Sequence, residues 1–314
     1  MYSCRTCRRG STGGVATRDY WAQTKSGLLI PAQRNTSAID SELSYEEIAK
    51  KAGQIKKRYA AAGVKLSPDC GLSRLCSAAA ELAALWHAGN GEKVSQKLLF
   101  DAMHLNRIAD AIGKVDTATD PKPYLQDLAA GDLDPHDRVR EKGKDILWEL
   151  ELVEQMEKFS LKARLAEPDV VIDVEGRDLA AACKKLYSTE NANKVYSNAV
   201  HQIEASGMPG ILCINIDDLR PPNSLIAAST QDRAVQAIGF QNMQFLGSSE
   251  HTFLNYMGAA RIIGVLASSS AIIQVPNSIP VVARQSNGWF RPSLPADLRD
   301  LMTAFVQKLE RGGR

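Results

Sequence analysis

The stretch between residues 145 and 215 constrains the fold of this chain more than any other, because helical and strand patterns alternate in it at short intervals. Residues 169–174 and 179–184 are short apolar runs bounded by turn residues, which is the pattern of adjoining strands. A helix rich in carboxylates precedes these runs, and a further helix and the apolar run 211–216 follow them. Such alternation is typical of a domain in which helices pack on a sheet.

Side chains alternate across a strand, and this decides which residues of the second run share a face. Ala182 and Lys184 point to one side of the predicted strand, while Cys183 points to the other. Asp169 begins the first run, and Gly176 provides the tight turn between the two. The pattern therefore predicts an acid at the start of one buried strand and a lysine at the end of the next.

The helix before these strands is predicted to open at Asp134-Pro135, an N-cap followed by a proline in the first turn. Glu149 flanks the apolar stripe of this helix, whereas Glu151 and Glu154 point further round it. An acid beside a buried face is costly unless its charge is used nearby. Glu149 is therefore the acid that we expect at a functional site.

These residues resemble the two half-motifs of the PD-(D/E)XK nuclease superfamily. The first half-motif corresponds to Pro168-Asp169 before an apolar strand, and the second to Cys183-Lys184 at the end of the following strand. The resemblance covers residues 145–215, where the order of helices and strands also agrees. One position departs from the pattern, because Ala182 stands where the superfamily has Asp or Glu.

The resemblance implies an amino-terminal helical domain followed by a restriction endonuclease-like α/β core, with a central mixed sheet flanked by helices. It implies an enzyme that hydrolyses phosphodiester bonds with Mg²⁺ or Mn²⁺. The favoured substrate is DNA and not RNA, and defence against foreign DNA is one role that such an enzyme could have. By motif, Asp169 and the carbonyl of Cys183 are metal ligands and Lys184 handles the water. Glu149 is the supporting glutamate of the preceding helix, with Glu151 as the second choice. Gln202 corresponds to the glutamine that many members carry on the following helix, and it would approach the site from that helix.

Ala182 decides how much activity to expect, since losing one of two carboxylates weakens metal binding and catalysis severely. Three explanations are open. The chain is an inactive relative that only binds nucleic acid, the acid has moved to Glu190, or Ala182 is a deliberate replacement of a glutamate that inactivates the chain and traps a substrate complex. The flanking residues favour the third explanation. The rival function from another class is a scaffold or sensor that uses the same core without catalysis.

Four segments describe the domain organisation. Residues 1–40 lack periodicity and are predicted to be a basic, loosely ordered arm. Residues 41–134 contain three periodic segments that each end near a glycine, which predicts a helical domain that binds a partner, the substrate or a second copy of the chain. The Pro- and Gly-containing segment 116–135 is the predicted linker, and residues 135–314 form the nuclease-like domain.

Ser44-x-x-Glu47 is a capping-box pattern that predicts the start of the first helix. One face of that helix is basic, and its residues are Lys50, Lys51, Lys56, Lys57 and Arg58. A stripe of this kind suits a nucleic-acid backbone. It also suits a solvated face balanced by acids at the helix start, and the pattern favours this second interpretation.

Composition sets broad limits. The net charge of +2 does not by itself indicate nucleic acid, and the absence of a long apolar run argues against a membrane partner. Six cysteines without a disulfide pattern predict a cytoplasmic protein. Cys4-x-x-Cys7 has the spacing of half a zinc site, but no second pair completes it, so free thiols are expected. Beyond residue 260 the sequence predicts three short strands, or one short helix and two strands, at 261–266, 271–275 and 280–284. A turn at Gly288 and a last helix from Pro295 follow.

Overall fold

The computed structural model describes residues 44–134, 139–221, 225–257, 260–276 and 281–312, together with the backbone of three short strands nearer the amino terminus. These strands are β1 (Tyr20–Gln23), β2 (Leu29–Gln33) and β3 (Ala38–Ile39). Strand β1 pairs with β2, so part of the arm predicted to be loosely ordered forms a two-stranded sheet. The Cys4-x-x-Cys7 pair lies outside the described residues.

Helices dominate the segment up to residue 134. They are α1 (Tyr45–Ala61), α2 (Gly71–His87), α3 (Gln96–Gly113), a 3-10 helix (Lys114–Thr117) and α4 (Lys122–Ala130). The predicted capping box is confirmed, since the Ser44 N–H donates to Glu47 at 2.8 Å and the Glu47 N–H donates to the Ser44 hydroxyl. The prediction of a linker over 116–135 is wrong where α4 stands.

The segment that resembles the nuclease superfamily folds into α5 (Lys142–Lys158), β4 (Lys162–Ala166), β5 (Asp169–Val174) and β6 (Arg177–Lys185). Both predicted strands are confirmed, and Gly176 takes the positive φ of 82° that the turn requires. The predicted start of α5 is wrong, because the helix begins at Lys142 and not at Pro135. Strand β4 was not predicted.

The remaining elements are α6 (Ala192–Ser206), β7 (Gly210–Asn215), β8 (Leu225–Ala227), α7 (Gln231–Met257), β9 (Ile262–Gln274), β10 (Val281–Phe290) and α8 (Ala296–Gly312). The sequence missed the long helix α7. It also divided β9 into two strands and placed a turn at Gly288, which lies inside β10. The predicted last helix is confirmed.

The main sheet is mixed and has the strand order β3-β10-β9-β7-β6-β5-β4, with β8 paired to β9. Strands β6, β7, β8 and β9 run parallel where they pair, and the other pairs are antiparallel. Helix α6 provides the crossover that a parallel β6–β7 pair needs. An α+β fold with a helical amino-terminal region and a mixed sheet flanked by helices is therefore confirmed.

The two faces of the sheet are covered by different helices. One apolar cluster runs from α1, α2 and α3 through α5 to inward-facing residues of β5 and β6, such as Ile172 and Leu179. The other cluster joins the opposite face of β6 and β7 to α6 and α7. Among the helices of the described segments, none is both long and apolar enough to cross a bilayer.

Candidate active site

Asp169 and Lys184 meet at one edge of the sheet. The Lys184 Nζ donates to Asp169 Oδ2 at 2.8 Å and to the carbonyl oxygen of Cys183 at 2.9 Å. The Cys183 N–H donates to the same Asp169 oxygen at 2.7 Å. Thus the structure brings together three of the residues that the sequence nominated.

The hairpin geometry of β5 and β6 explains this meeting. Val170 pairs with Ala181, so Asp169 at the start of β5 lies beside the end of β6. The turn between the strands is fixed locally, since Asp173 Oδ1 accepts the Gly176 N–H at 2.6 Å. A short hairpin with a defined turn holds register tightly, and the Asp169–Lys184 contact follows from it.

The site is still reachable from solvent. The side chain of Asp169 is 13% exposed and that of Lys184 is 20% exposed. Strand β6 runs parallel to β7, so the carboxyl end of β6 with Lys184 lies beside the carboxyl end of β7. Ligands of open α/β sheets bind at this edge.

Glu149 of α5 lies close enough to Asp169 and Lys184 for their charges to act on it. Burial raises the pKa of Glu149 well above its ordinary value, and the negative charge of Asp169 raises it further, while Lys184 opposes both. Burial likewise raises the pKa of Asp169 against the influence of Lys184. Two carboxylates that disfavour each other's charge form a site that a cation would stabilise.

Sequence reasoning missed two residues near these carboxylates. Burial raises the pKa of the Tyr124 hydroxyl, and the charges of Glu149, Glu167 and Asp169 raise it further. Tyr124 belongs to α4, inside the segment that was predicted to be a linker. Glu167 lies directly before the Pro168-Asp169 pair, and this proximity in sequence was the one signal that could have indicated it.

The donor set suits a hard divalent cation. Both hydrogen bonds to Asp169 use Oδ2; Oδ1 makes none with the described residues. Two carboxylates and a backbone carbonyl are enough for Mg²⁺, which keeps several of its waters. Within the described segments, no group of three or more His, Cys, Asp or Glu side chains is arranged to hold a metal ion, so the site offers this smaller set and no more.

Ala182 is fully buried in the apolar cluster beneath α6, together with Tyr196, Ala199 and Leu212. An ionised carboxylate at this position would lose its hydration without gaining a partner. Glu190, the other residue considered for the missing acid, is exposed before α6. It makes no ion pair or hydrogen bond to Asp169 or Lys184.

Gln202 lies on α6, the helix that covers the Ala182 face of the sheet. Its Oε1 is buried and has no hydrogen-bond partner among the described residues. No hydrogen bond joins it to Asp169 or Lys184. The structure therefore brings Asp169, Cys183 and Lys184 together with Glu149 nearby, and Gln202 stands outside that group.

Glu151 and Glu154 are buried, although the sequence pattern predicted that they point away from the apolar stripe of the helix. Arg107 of α3 holds Glu151 with Nε at 2.8 Å and Nη2 at 3.1 Å. Arg284 of β10 binds Glu151 at 2.8 Å and Glu154 at 3.2 Å. Glu151, the second choice for the site, thus belongs to a separate ion-pair cluster.

The same cluster extends to the segment after β7. Arg107 Nη2 also lies 2.7 Å from Asp217 Oδ2, and the Ser270 N–H donates to Asp217 Oδ1 at 2.6 Å. Burial alone would raise the pKa of Glu151, but the charges of Arg107 and Arg284 hold it below the ordinary value. The cluster joins α3, α5, β10 and the end of β7.

Comparison of the chain with protein-family models, with curated proteins and with solved structures finds no match. Function must therefore be inferred from the chemistry of the chain's own residues. The carboxylate, carbonyl and ammonium groups at the edge of β5 and β6 are the strongest basis for that inference.

Proposed function

We propose that this chain is a Mg²⁺-dependent nuclease that hydrolyses phosphodiester bonds, with DNA as its preferred substrate. The observation that carries the proposal is the convergence of the Lys184 ammonium, the Asp169 carboxylate and the Cys183 carbonyl at 2.8–2.9 Å. Phosphodiester hydrolysis needs oxygen ligands for a metal and a cationic group beside the reacting phosphate. These residues supply both kinds of group.

Asp169, the Cys183 carbonyl and Glu149 would hold the cation. A bound Mg²⁺ or Mn²⁺ supplies charge stabilisation at the phosphate and a more acidic water. Glu149 would take the place of the carboxylate that position 182 lacks, since the charges of Asp169 and Lys184 both act on the pKa of Glu149. The proposal thus accounts for Ala182 without requiring a glutamate there.

Lys184 orients the reactants. Its ammonium is held by Asp169 and by the Cys183 carbonyl, so the rotamer is fixed before substrate arrives. The remaining donor hydrogen of the ammonium can bind a phosphate oxygen or the attacking water. A preorganised cation at this point stabilises the negative charge that grows on the phosphate in the transition state.

The test is cleavage of duplex DNA, single-stranded DNA and RNA with Mg²⁺ or Mn²⁺. We expect the wild-type chain to cleave at least one of these substrates and Lys184→Ala to lower the rate by about 100-fold or more. Asp178→Asn is the matched control, because Asp178 pairs with Arg164 on the exposed end of the same hairpin. Cleavage that survives in Lys184→Ala at the wild-type rate would refute the proposal.

A second candidate is a nucleic-acid-binding or scaffold protein without catalysis. The observation that favours it is the buried, apolar setting of Ala182. In that case wild-type protein binds oligonucleotides without cleaving them under any divalent cation. The cleavage assay therefore separates the two candidates directly.

A further inference from the structure

A groove of about 860 Å³ lies between α1, α3, the 3-10 helix and the start of α4. Its charged lining residues are Lys51, Lys57, Arg58, Lys114, Asp110 and Asp116. Gln54 and apolar or small residues such as Ile55, Ile112 and Leu125 form the rest of its lining. Four cations and two acids line the groove, and Glu157 outside the lining pairs with Lys114, so the groove keeps an excess of one positive charge.

Three of the four cations are paired within the chain: Lys51 with Asp110, Arg58 with Asp116, and Lys114 with Glu157. Lys51 pairs with Asp110 at 2.8 Å and also donates to Asn106 at 3.0 Å, and its side chain is only 18% exposed. Lys57 is exposed and forms no ion pair with any part of the chain that the structure describes. Lys57 is therefore the cation that we expect a phosphate to contact first.

One hydrogen bond links the lining of the groove to the strand beside the candidate active site. The 3-10 helix of the groove ends at Thr117, whose hydroxyl accepts the Leu165 N–H at 3.2 Å. Leu165 lies in β4 one residue before Ala166, which pairs with Asp169. Helix α4 also lies near both the groove and the site. Leu125 lines the groove, and the charge of Asp169 contributes to raising the pKa of the neighbouring Tyr124.

We infer that this groove binds the phosphate backbone of a nucleic-acid strand and directs it towards Asp169 and Lys184. The inference rests on the proposed nuclease function and names the surface that holds its substrate. Cationic and apolar side chains in one groove suit a single strand of nucleic acid, whose backbone is charged and whose sugars and bases are partly apolar. An acidic peptide is the competing occupant.

The experiment compares Lys57→Ala with Lys56→Ala, which removes the same charge from the next residue of α1 but outside the groove lining. Binding of a fluorescein-labelled single-stranded DNA oligonucleotide is followed by anisotropy in EDTA at several salt concentrations. We expect Lys57→Ala to weaken binding roughly fivefold to tenfold near 0.1 M salt and to lower the slope of log K against log salt by about one. Lys56→Ala should match the wild type.

Equal affinities of the two variants would overturn the groove assignment, as would the absence of any binding by the wild type. Tighter binding of polyglutamate than of the oligonucleotide would overturn it as well. Because EDTA removes the metal, this readout does not depend on catalysis. Binding that depends on Lys57 in a chain that never cleaves would support the groove and count against the nuclease.

Discussion

At the scale of single residues, the contacts of the Lys184 ammonium matter most for the proposed metal site. Its ammonium contacts the Asp169 carboxylate and the Cys183 carbonyl, the same groups that are proposed to bind the cation. Lys184 and a divalent ion therefore share ligands. Removal of the lysine should impair cleavage while leaving, or even improving, the affinity for metal.

Ala182 gives a residue-scale prediction about the missing acid. Ala182→Glu places a carboxylate in a fully buried apolar cluster, so we expect it to lower the free energy of unfolding by roughly 3 kcal/mol or more. Urea denaturation measures this change, with Ala182→Ser as a smaller polar control. A variant that is as stable as the wild type and cleaves faster would instead support the replaced-glutamate hypothesis.

His104 gives a pH prediction. Burial lowers the pKa of His104 from 6.5 to about 4, and its Nε2 lies 2.9 Å from the Leu133 carbonyl oxygen. The unfolded chain therefore binds the proton first, and stability falls as the pH drops from about 6.5 towards 4. Between these limits the loss should reach roughly 3 kcal/mol.

Denaturation of wild type and His104→Gln across this pH range measures the effect. Gln keeps a donor for the Leu133 carbonyl but does not titrate in this range. The stability of the variant should therefore fall less steeply with acid than that of the wild type. Parallel curves for the two proteins would show that His104 is not the group responsible.

At the scale of elements, the ion-pair cluster fixes α3 and α5 against β10. Arg107→Ala removes the cation that the buried Glu151 and Asp217 share. Because Arg284 still pairs with Glu151 and Arg220 with Asp217, we expect a loss near the lower end of such cases, about 3 kcal/mol in unfolding free energy. Lys97→Ala on the same helix breaks only the exposed pair with Asp101 and should cost less than about 1 kcal/mol. Similar losses in the two variants would contradict the role given to the cluster.

The hairpin of β5 and β6 was predictable because its determinants are local. Alternation of side chains and the Gly176 turn are enough to place Asp169 beside Lys184. Partners brought from a distance were not predictable. Arg107 and Arg284 lie 44 and 133 residues from Glu151 in sequence, and no local pattern joins them.

Polar residues inside buried elements explain the other failures. Ser268, Ser269 and Ser270 interrupt the apolar run of β9, which the sequence therefore divided. These serines can be buried in the fold because polar groups hydrogen-bond to them. The Ser269 hydroxyl, for example, donates to the Asn242 side-chain oxygen at 2.6 Å. Asn242 in turn interrupts the buried face of α7, which is why that helix was missed.

At the scale of the whole molecule, we propose that the helical region and the sheet together form one surface for a substrate. A single apolar cluster runs from α1 to β6, so the groove on α1 is held rigidly relative to the site at the end of β6. A strand bound in the groove would thus meet Asp169 and Lys184 without a hinge motion. The helical region is then a substrate-binding part of the proposed nuclease.

The most direct test of the central claim is a calorimetric Mn²⁺ titration of four proteins: wild type, Asp169→Asn, Glu149→Gln and Lys184→Met. We predict one binding event in the wild type, its loss in Asp169→Asn, weaker binding in Glu149→Gln, and binding at least as tight as wild type in Lys184→Met. Asp178→Asn controls for the removal of a carboxylate elsewhere on the hairpin. Mn²⁺ binding that is unchanged in Asp169→Asn, or absent from the wild type, would contradict the account.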